Sequence, residues 1–178
     1  QLVLVPSLAC RVSVLRNLGG GRFANAGTRI TMTWTPLAFA NADLNRDGRK
    51  DLAIAGTSGQ LVIVNGNGDG FFTIAGNYTV SDGHGIVAAD LDGDLDIDLA
   101  LVPGLSVLLN NGNGTFDTPQ TFPHDAPSVA LVAADLDGDD DMDLALADKD
   151  TRDAVSIYRN DGSAVFTAAG QFPVGAQA

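Results

Sequence analysis

The chain contains no glutamate: all 22 of its acidic residues are aspartate. Aspartate suits short loops and turns whereas glutamate suits helices, so this bias argues against a helical protein. No stretch of ten or more residues carries a helical period free of Gly or Pro. Cysteine is nearly absent as well. Cys10 stands alone, which excludes an internal disulfide and leaves the redox compartment unread; a small buried apolar side chain is the expected role. No apolar run approaches the ~20 residues that span a bilayer, which argues against membrane insertion. Only ten Lys and Arg are present and they are scattered, so nucleic acid is not an expected partner. There is no starting Met and no signal peptide. The chain is therefore expected to be a processed form, an excised fragment or part of a longer product.

What is present is repetition. With 178 residues and 45% apolar side chains, a core is affordable for one domain spanning 1–178 or for an array of small units. The net charge of −12 is local, because fourteen of the 22 aspartates fall within 43–51, 90–98 and 135–143. These are three copies of one phrase: NADLNRDGRKDLAIAG, AADLDGDLDIDLALVP and AADLDGDDDMDLALAD. Oxygen-bearing side chains alternate along each, as Asp43, Asn45, Asp47 and Asp51, then Asp90, Asp92, Asp94 and Asp98, then Asp135, Asp137, Asp139 and Asp143. The copies are 47 and 45 residues apart.

A second phrase recurs four times: VSVLRNLGGGRF, QLVIVNGNGDGF, LSVLLNNGNGTF and VSIYRNDGSAVF. Each joins an alternating apolar run to an Asn (Asn17, Asn65, Asn110, Asn160), a Gly-rich turn and a closing Phe (Phe23, Phe71, Phe116, Phe166). Alternation of period two predicts a strand, and Asn-Gly clusters supply the positive φ of a hairpin turn. One unit read through predicts four short strands: 85–91, 98–103, 105–111 and a last one around 115–122. Four antiparallel strands per ~45 residues predict an all-β fold of β-propeller blades, each burying its faces only against its neighbours. The units are approximately 1–35 (partial), 36–81, 82–126 and 127–178. The Ala88-Ala89 and Ala133-Ala134 pairs fit innermost strands, where space is scarce.

Asp at places 1, 3 and 5 of a loop, with a backbone ligand at 7, is the front half of a calcium-binding loop. Calcium takes about 6–8 oxygens at ~2.3–2.6 Å, and such a loop supplies five or six. Mg²⁺ demands octahedral geometry and keeps its waters, and Zn²⁺ is poorly served without Cys or His. An EF-hand is excluded by place 12, where Ile54, Leu101 and Leu146 stand instead of Glu. A duplicated dockerin-type loop fails for the same reason. Metal-free acidic turns are the poorer alternative, since like charges ~4 Å apart repel by roughly 4 kcal/mol per pair at an effective dielectric of ~20.

The spacing D-x-[DN]-x-D-x-x-x-D-L between two short strands, with the downstream N-G-x-G-x-F turn, resembles the FG-GAP/VCBS-type repeat. This is the calcium-binding blade of integrin α-subunit propellers and of many bacterial extracellular proteins, and the resemblance covers essentially the whole chain. It implies three Ca²⁺ sites. Their ligands are the side chains at places 1, 3, 5 and 9 given above and the carbonyls of Arg49, Asp96 and Asp141 at place 7. The repeat usually has Gly at place 6, as Gly48 is here. Leu95 and Asp140 stand there in the other two loops, with Gly93 and Gly138 at place 4, so a slightly different backbone path is expected in those loops. The Phe-Gly and Gly-Ala-Pro signatures are absent, which brings the chain nearer to the VCBS-type branch.

Gln1 aligns with Asp51, Asp98 and Asp143, so the first unit is expected to lack its inner strand and its acidic loop. An open sheet edge is an aggregation liability. Three arrangements answer it: the remainder of a longer propeller, strand complementation head to tail between copies into a filament, or a four-bladed ring closed by the C-terminal tail. His84 and His124 read as ordinary loop histidines, and no catalytic constellation is expected. Trp34 and Phe39 read as packing residues, with a sugar-stacking platform as the alternative. Asp148 to Asp153 read as a solvated loop. In integrin-like propellers these connections lie opposite the calcium loops, which by likeness makes that region the partner surface. Asn77 and Asn113 head N-x-T sequons at exposed edge or turn positions. The expected role is a secreted or cell-surface, calcium-stabilised structural or adhesive module. A glycan-binding propeller or a non-catalytic domain of a larger extracellular enzyme are the alternatives.

Overall fold

The computed structural model describes residues 2–7, 11–68, 70–81, 83–149 and 154–174, of which 2–7 and 26–28 are described by backbone alone. Cys10, Gln1, Asp82 and residues 150–153 of the charged stretch lie outside the described residues. The fold is all-β, and sequential strands pair antiparallel within four sheets. The first sheet has three strands: β1 (Leu2–Ser7), β2 (Arg11–Gly19) and β3 (Arg22–Thr31). The second comprises β4 (Pro36–Ala42), β5 (Asp51–Gly56), β6 (Gln60–Gly66) and β7 (Phe72–Thr79). The third comprises β8 (Gly85–Ala89), β9 (Asp98–Val102), β10 (Ser106–Leu108) and the two-residue β11 (Gln120–Thr121). The fourth comprises β12 (Ser128–Ala134), β13 (Asp143–Asp148), β14 (Ala154–Asn160) and β15 (Phe166–Pro173).

The sheets pack face to face in chain order, as in a propeller. Strand β8 lies beside both β4 and β12, and the small residues Ala40, Ala42, Ala88, Ala89, Ala133 and Ala134 let these inner strands approach. Each later sheet has a trailing face toward the sheet before it, and the second and third have a leading face toward the sheet after. Between the second and third, Leu44, Ala53, Ala55, Leu61 and Ile63 lead, and Leu99, Leu101, Leu108 and Phe116 trail. Between the third and fourth, Leu91, Ala100, Val102, Leu105 and Val107 meet Leu131, Leu144, Leu146, Tyr158 and Phe166. The first pair is closed by Val12, Ile30 and Met32 against Leu52, Ile54, Val62 and Val64. Full burial of one such side chain contributes ~1.5–3 kcal/mol, so these three seams carry the fold.

The register corrects one expectation. Asn110 bridges Phe116 and Asn160 pairs with Phe166, but the matching pair in the second sheet is Gly66 with Phe72. Asn65 and Phe71 each stand one place too early. Backbone proximity explains the Gly: a Cβ at residue 66 would collide with the Lys50 carbonyl oxygen. Phe72 accordingly turns into the core, while Phe71 stays exposed.

Candidate metal centres

Each acidic loop joins the first and second strands of its sheet, and all three turn left-handed at the same two places. Places 4 and 6 adopt the left-handed conformation throughout: Arg46 and Gly48 (φ 59° and 80°), Gly93 and Leu95 (78° and 72°), Gly138 and Asp140 (88° and 72°). The small difference expected of the second and third loops shows in the place-1 carboxylate, which takes the place-5 N–H in the first loop and the place-4 N–H in the other two. One glycine per loop suffices, and it moves between two places that both demand positive φ.

The place-1 carboxylates organise this path. Asp43 accepts the N–H groups of Asp47 (3.1 Å) and Gly48 (2.8 Å). Asp90 accepts those of Gly93 (2.8 Å) and Leu95 (3.0 Å), and Asp135 those of Gly138 (2.7 Å) and Asp140 (3.3 Å). The Gly138 bond is the main reason that the Asp135 carboxyl is held below the usual range. Place-5 side chains brace the loop ahead of them, Asp47 accepting from Arg49 N–H (2.8 Å), Asp94 from Asp96 (2.7 Å) and Asp139 from Asp141 (3.0 Å).

The place-9 aspartates Asp51, Asp98 and Asp143 are fully buried. Each bridges its loop to the third strand. Asp51 accepts from Leu44 (2.9 Å) and Gly66 (2.8 Å), Asp98 from Leu91 (2.9 Å) and Asn110 (2.8 Å), and Asp143 from Leu136 (3.1 Å) and Asn160 (2.9 Å). Burial, opposed by the Asn110 and Leu91 N–H groups and reinforced by Asp92 and Asp94, pushes the Asp98 carboxyl up to about 6. Burial likewise raises Asp51, and burial followed by the Asp94 charge raises Asp92.

Two triads converge: Asp90, Asp92 and Asp98, and Asp135, Asp137 and Asp143, each with one carboxylate oxygen per residue within 4.8 Å of the others. Oxygens bound to one cation at ~2.4 Å lie no more than ~4.8 Å apart, so the spacing and the all-oxygen donor set fit a hard divalent ion. In the first loop Asn45 replaces the third-place carboxylate, and its Oδ1 accepts the Asp47 N–H (3.0 Å). The side chains at place 7 face elsewhere. Arg49 covers Gly68, Asp96 covers Gly112 and Asp141 covers Gly162 in the hairpin of each sheet. Asp96 also ion-pairs with Arg46 of the preceding loop, and Asp137 with Arg159 at 3.3 Å.

Sequence reasoning missed how the loops fasten neighbouring sheets. Asn110 donates from Nδ2 to the carbonyls of Leu44 (2.8 Å) and Ile97 (3.0 Å), and Asn160 to those of Leu91 (2.7 Å) and Met142 (3.2 Å). Place 2 of one loop is thus tied to place 8 of the next. The corresponding space against the second sheet is a cavity of about 470 Å³ lined by Arg16, Arg49, Lys50, Gly66 and Phe72 among others.

The remaining candidates resolve differently. His124 is not an exposed loop residue. Its Nδ1 meets Tyr158 Oη (3.0 Å), and its Nε2 meets both Ser128 Oγ (2.6 Å) and Asp148 Oδ1 (3.0 Å). Asp148 is not solvated either; it is buried at the end of β13 and accepts from Ser128 (2.8 Å), Ser156 (2.6 Å) and Gln171 (3.0 Å). Burial alone would raise its carboxyl, but the Ser156, Gln171 and Ser128 bonds and the His124 ring hold it below the ordinary value. No local pattern announces this network, whose members are brought together by the pairing of β12, β13 and β14. Trp34 packs its ring over Gly56, where a Cβ would collide with it, and joins the core beside Phe39. Asn77 is exposed on β7; Asn113 is exposed in its turn, where Oδ1 accepts from Thr115 N–H (2.9 Å).

Among solved structures the fold recurs in propeller-type proteins. A lectin of Agrocybe aegerita, solved for its recognition of non-reducing terminal N-acetylglucosamine, is 24% identical with a TM-score of 0.57, over 89% of this chain and 46% of that one. BBS1N, solved in complex with ARL6DN, is 13% identical with a TM-score of 0.63, over 99% of this chain and 54% of that one. The chain thus spans about half the length of these structures. No curated protein sequence matches it. The FG-GAP-like repeat profile matches residues 43–101 and 103–146, which take in all three acidic loops and more than half of the sequence. The chain belongs to the FG-GAP-like repeat family.

Proposed function

We propose that this chain is a calcium-stabilised propeller module of the extracellular space, with a structural or adhesive role and no chemistry of its own. The carrying observation is the convergence of Asp90, Asp92 and Asp98, and of Asp135, Asp137 and Asp143, at cation-sized spacing, with the third member of each triad buried. Removing a carboxylate from water is costly unless a positive charge or several donors face it. Bound there, calcium supplies that charge and clamps the hairpin of the first two strands. Asp94 and Asp139, with the carbonyls of Asp96 and Asp141, complete the two donor sets. The first loop offers Asp43, Asn45, Asp47, Asp51 and the Arg49 carbonyl as a third site with one carboxylate fewer. Loops of this kind suit the millimolar calcium found outside cells.

Thermal unfolding with calcium and with excess chelator tests the reading. A ligand that binds only the folded state stabilises it by mass action, so chelation is expected to lower the melting temperature substantially, and Asp94→Ala or Asp139→Ala, each disabling one site, to diminish that response. A melting curve indifferent to chelator would remove calcium from the account.

A further inference from the structure

At place 4 the second and third loops have Gly93 and Gly138, and the first has Arg46, left-handed like them at φ 59°. Glycine adopts that conformation readily and arginine does not. The Arg46 side chain leaves its own loop for the next one. Its Nη2 donates to the Asp94 carbonyl (3.3 Å), and its Nε meets the Asp96 carboxylate. That carboxylate is buried against Gly112, and Arg46 is the cation that pairs with it.

The two residues so held belong to the second donor set. In the calcium reading above, Asp94 offers its side chain and Asp96 its carbonyl, and the Asp96 N–H already closes on Asp94 Oδ1 (2.7 Å). In its own loop Arg46 stands between Asn45 and Asp47, two donors of the first set, which are joined by the bond from Asp47 N–H to Asn45 Oδ1 (3.0 Å). One side chain thus grips the donor-bearing segments of two loops. It does so at the junction where the Asn110 amide already holds Leu44 O and Ile97 O.

The next junction supplies the contrast. Asn160 holds Leu91 O and Met142 O in the same manner, but Gly93 has no side chain to send across. Arg159, which pairs with Asp137, lies in the same sheet as the third loop. Among the described residues, no ion pair other than that of Arg46 runs from one acidic loop to the next.

We propose that Arg46 couples the first two calcium sites, so that occupation of the second loop prepares the first. The route is order rather than attraction, since an ion pair with an exposed partner adds little to the stability of a fold. Asp94 and Asp96, once held on an ion, hold the guanidinium, and the guanidinium holds the backbone between Asn45 and Asp47. The first loop then binds without bearing that ordering cost again. It has one carboxylate fewer than the others, so it gains most from the help. The inference rests on the calcium reading and names a regulation within it.

A calcium titration of the full chain, followed by NMR, tests the coupling. Gly48, Gly93 and Gly138 each lie in one loop, so their amide resonances follow the three sites separately. Asp92→Ala cripples the second site without removing either residue that Arg46 holds. It is expected to raise the calcium midpoint at Gly48 about tenfold, within the ordinary range of coupling between sites. In an Arg46→Gly background, which gives the first loop the glycine of the other two, the same change is expected to move that midpoint less than about twofold. Asp96→Asn cuts the pair from its other side and is expected to remove the coupling equally, while the Gly138 midpoint stays unchanged by Arg46→Gly. A Gly48 midpoint that ignores Asp92→Ala, or a shift that survives both Arg46→Gly and Asp96→Asn, would overturn the coupling and leave the calcium reading standing. Three glycines indifferent to calcium would overturn that reading, and the coupling with it.

Discussion

Asn110 lies in the third sheet, yet its side-chain amide donates to the carbonyl of Leu44 in the second, 66 residues away, at 2.8 Å. The same amide holds Ile97 O, so one side chain joins two acidic loops. Asn110→Ala leaves both carbonyls without that donor in a buried seam. A lost buried hydrogen bond of this type costs ~1–3 kcal/mol. Urea unfolding is expected to show that loss for Asn110→Ala and Asn160→Ala, and much less for Asn65→Ala, whose side chain is one place out of register.

Leu95 is 80% exposed and holds φ at 72°. A leucine there gains little burial and bears the left-handed penalty of roughly 1–2 kcal/mol, part of which a more flexible glycine forfeits in the unfolded chain. Leu95→Gly is therefore expected to raise stability by about 0.5–1 kcal/mol, read as a higher denaturation midpoint. A drop in stability would show that the leucine contributes a contact outside the loop.

Asp98 and Asp148 are both buried carboxyls, and they respond to pH with opposite sign. Asp98 is raised to about 6 from 3.8, so the metal-free fold binds its proton more tightly than the unfolded chain does. Its contribution therefore grows as pH falls from about 6 toward 3.8 and is lost as pH rises through that window. Calcium reverses the preference because it requires the carboxylate. Calorimetry in buffers of different ionisation enthalpy is expected to show proton release on calcium binding near pH 6, diminished in Asp98→Asn.

Asp148 is lowered, so its contribution is present above the ordinary carboxyl range and lost as pH falls through its folded value. Removing one member of a buried charged network costs ~3–5 kcal/mol. Asp148→Ala is expected to unfold at markedly lower denaturant and to lose part of the acid-side transition. A cost below ~1 kcal/mol would mean that water replaces the carboxylate there.

Much of this was legible because the repeat writes the same physics several times. Period-two apolar runs fixed the strand order, and the Asp spacing located every loop. What escaped notice depends on tertiary neighbours. The run NGNGDGFF permits two registers, and the Lys50 carbonyl selects the one with Gly66 and Phe72 in place. The His124 partners stand 4, 24 and 34 residues away, so no local pattern could announce them. The left-handed Leu95 ran against local preference, since nothing in leucine favours positive φ.

The second place of each loop has a geometric consequence. Leu44 and Leu91 are wedges between successive sheets, held at a fixed depth by the carbonyl bonds that Asn110 and Asn160 make to them. The bulk of that wedge, buried in the seam, holds each sheet off the next. A loop that gathers carboxylates is thus also the spacer between two sheets.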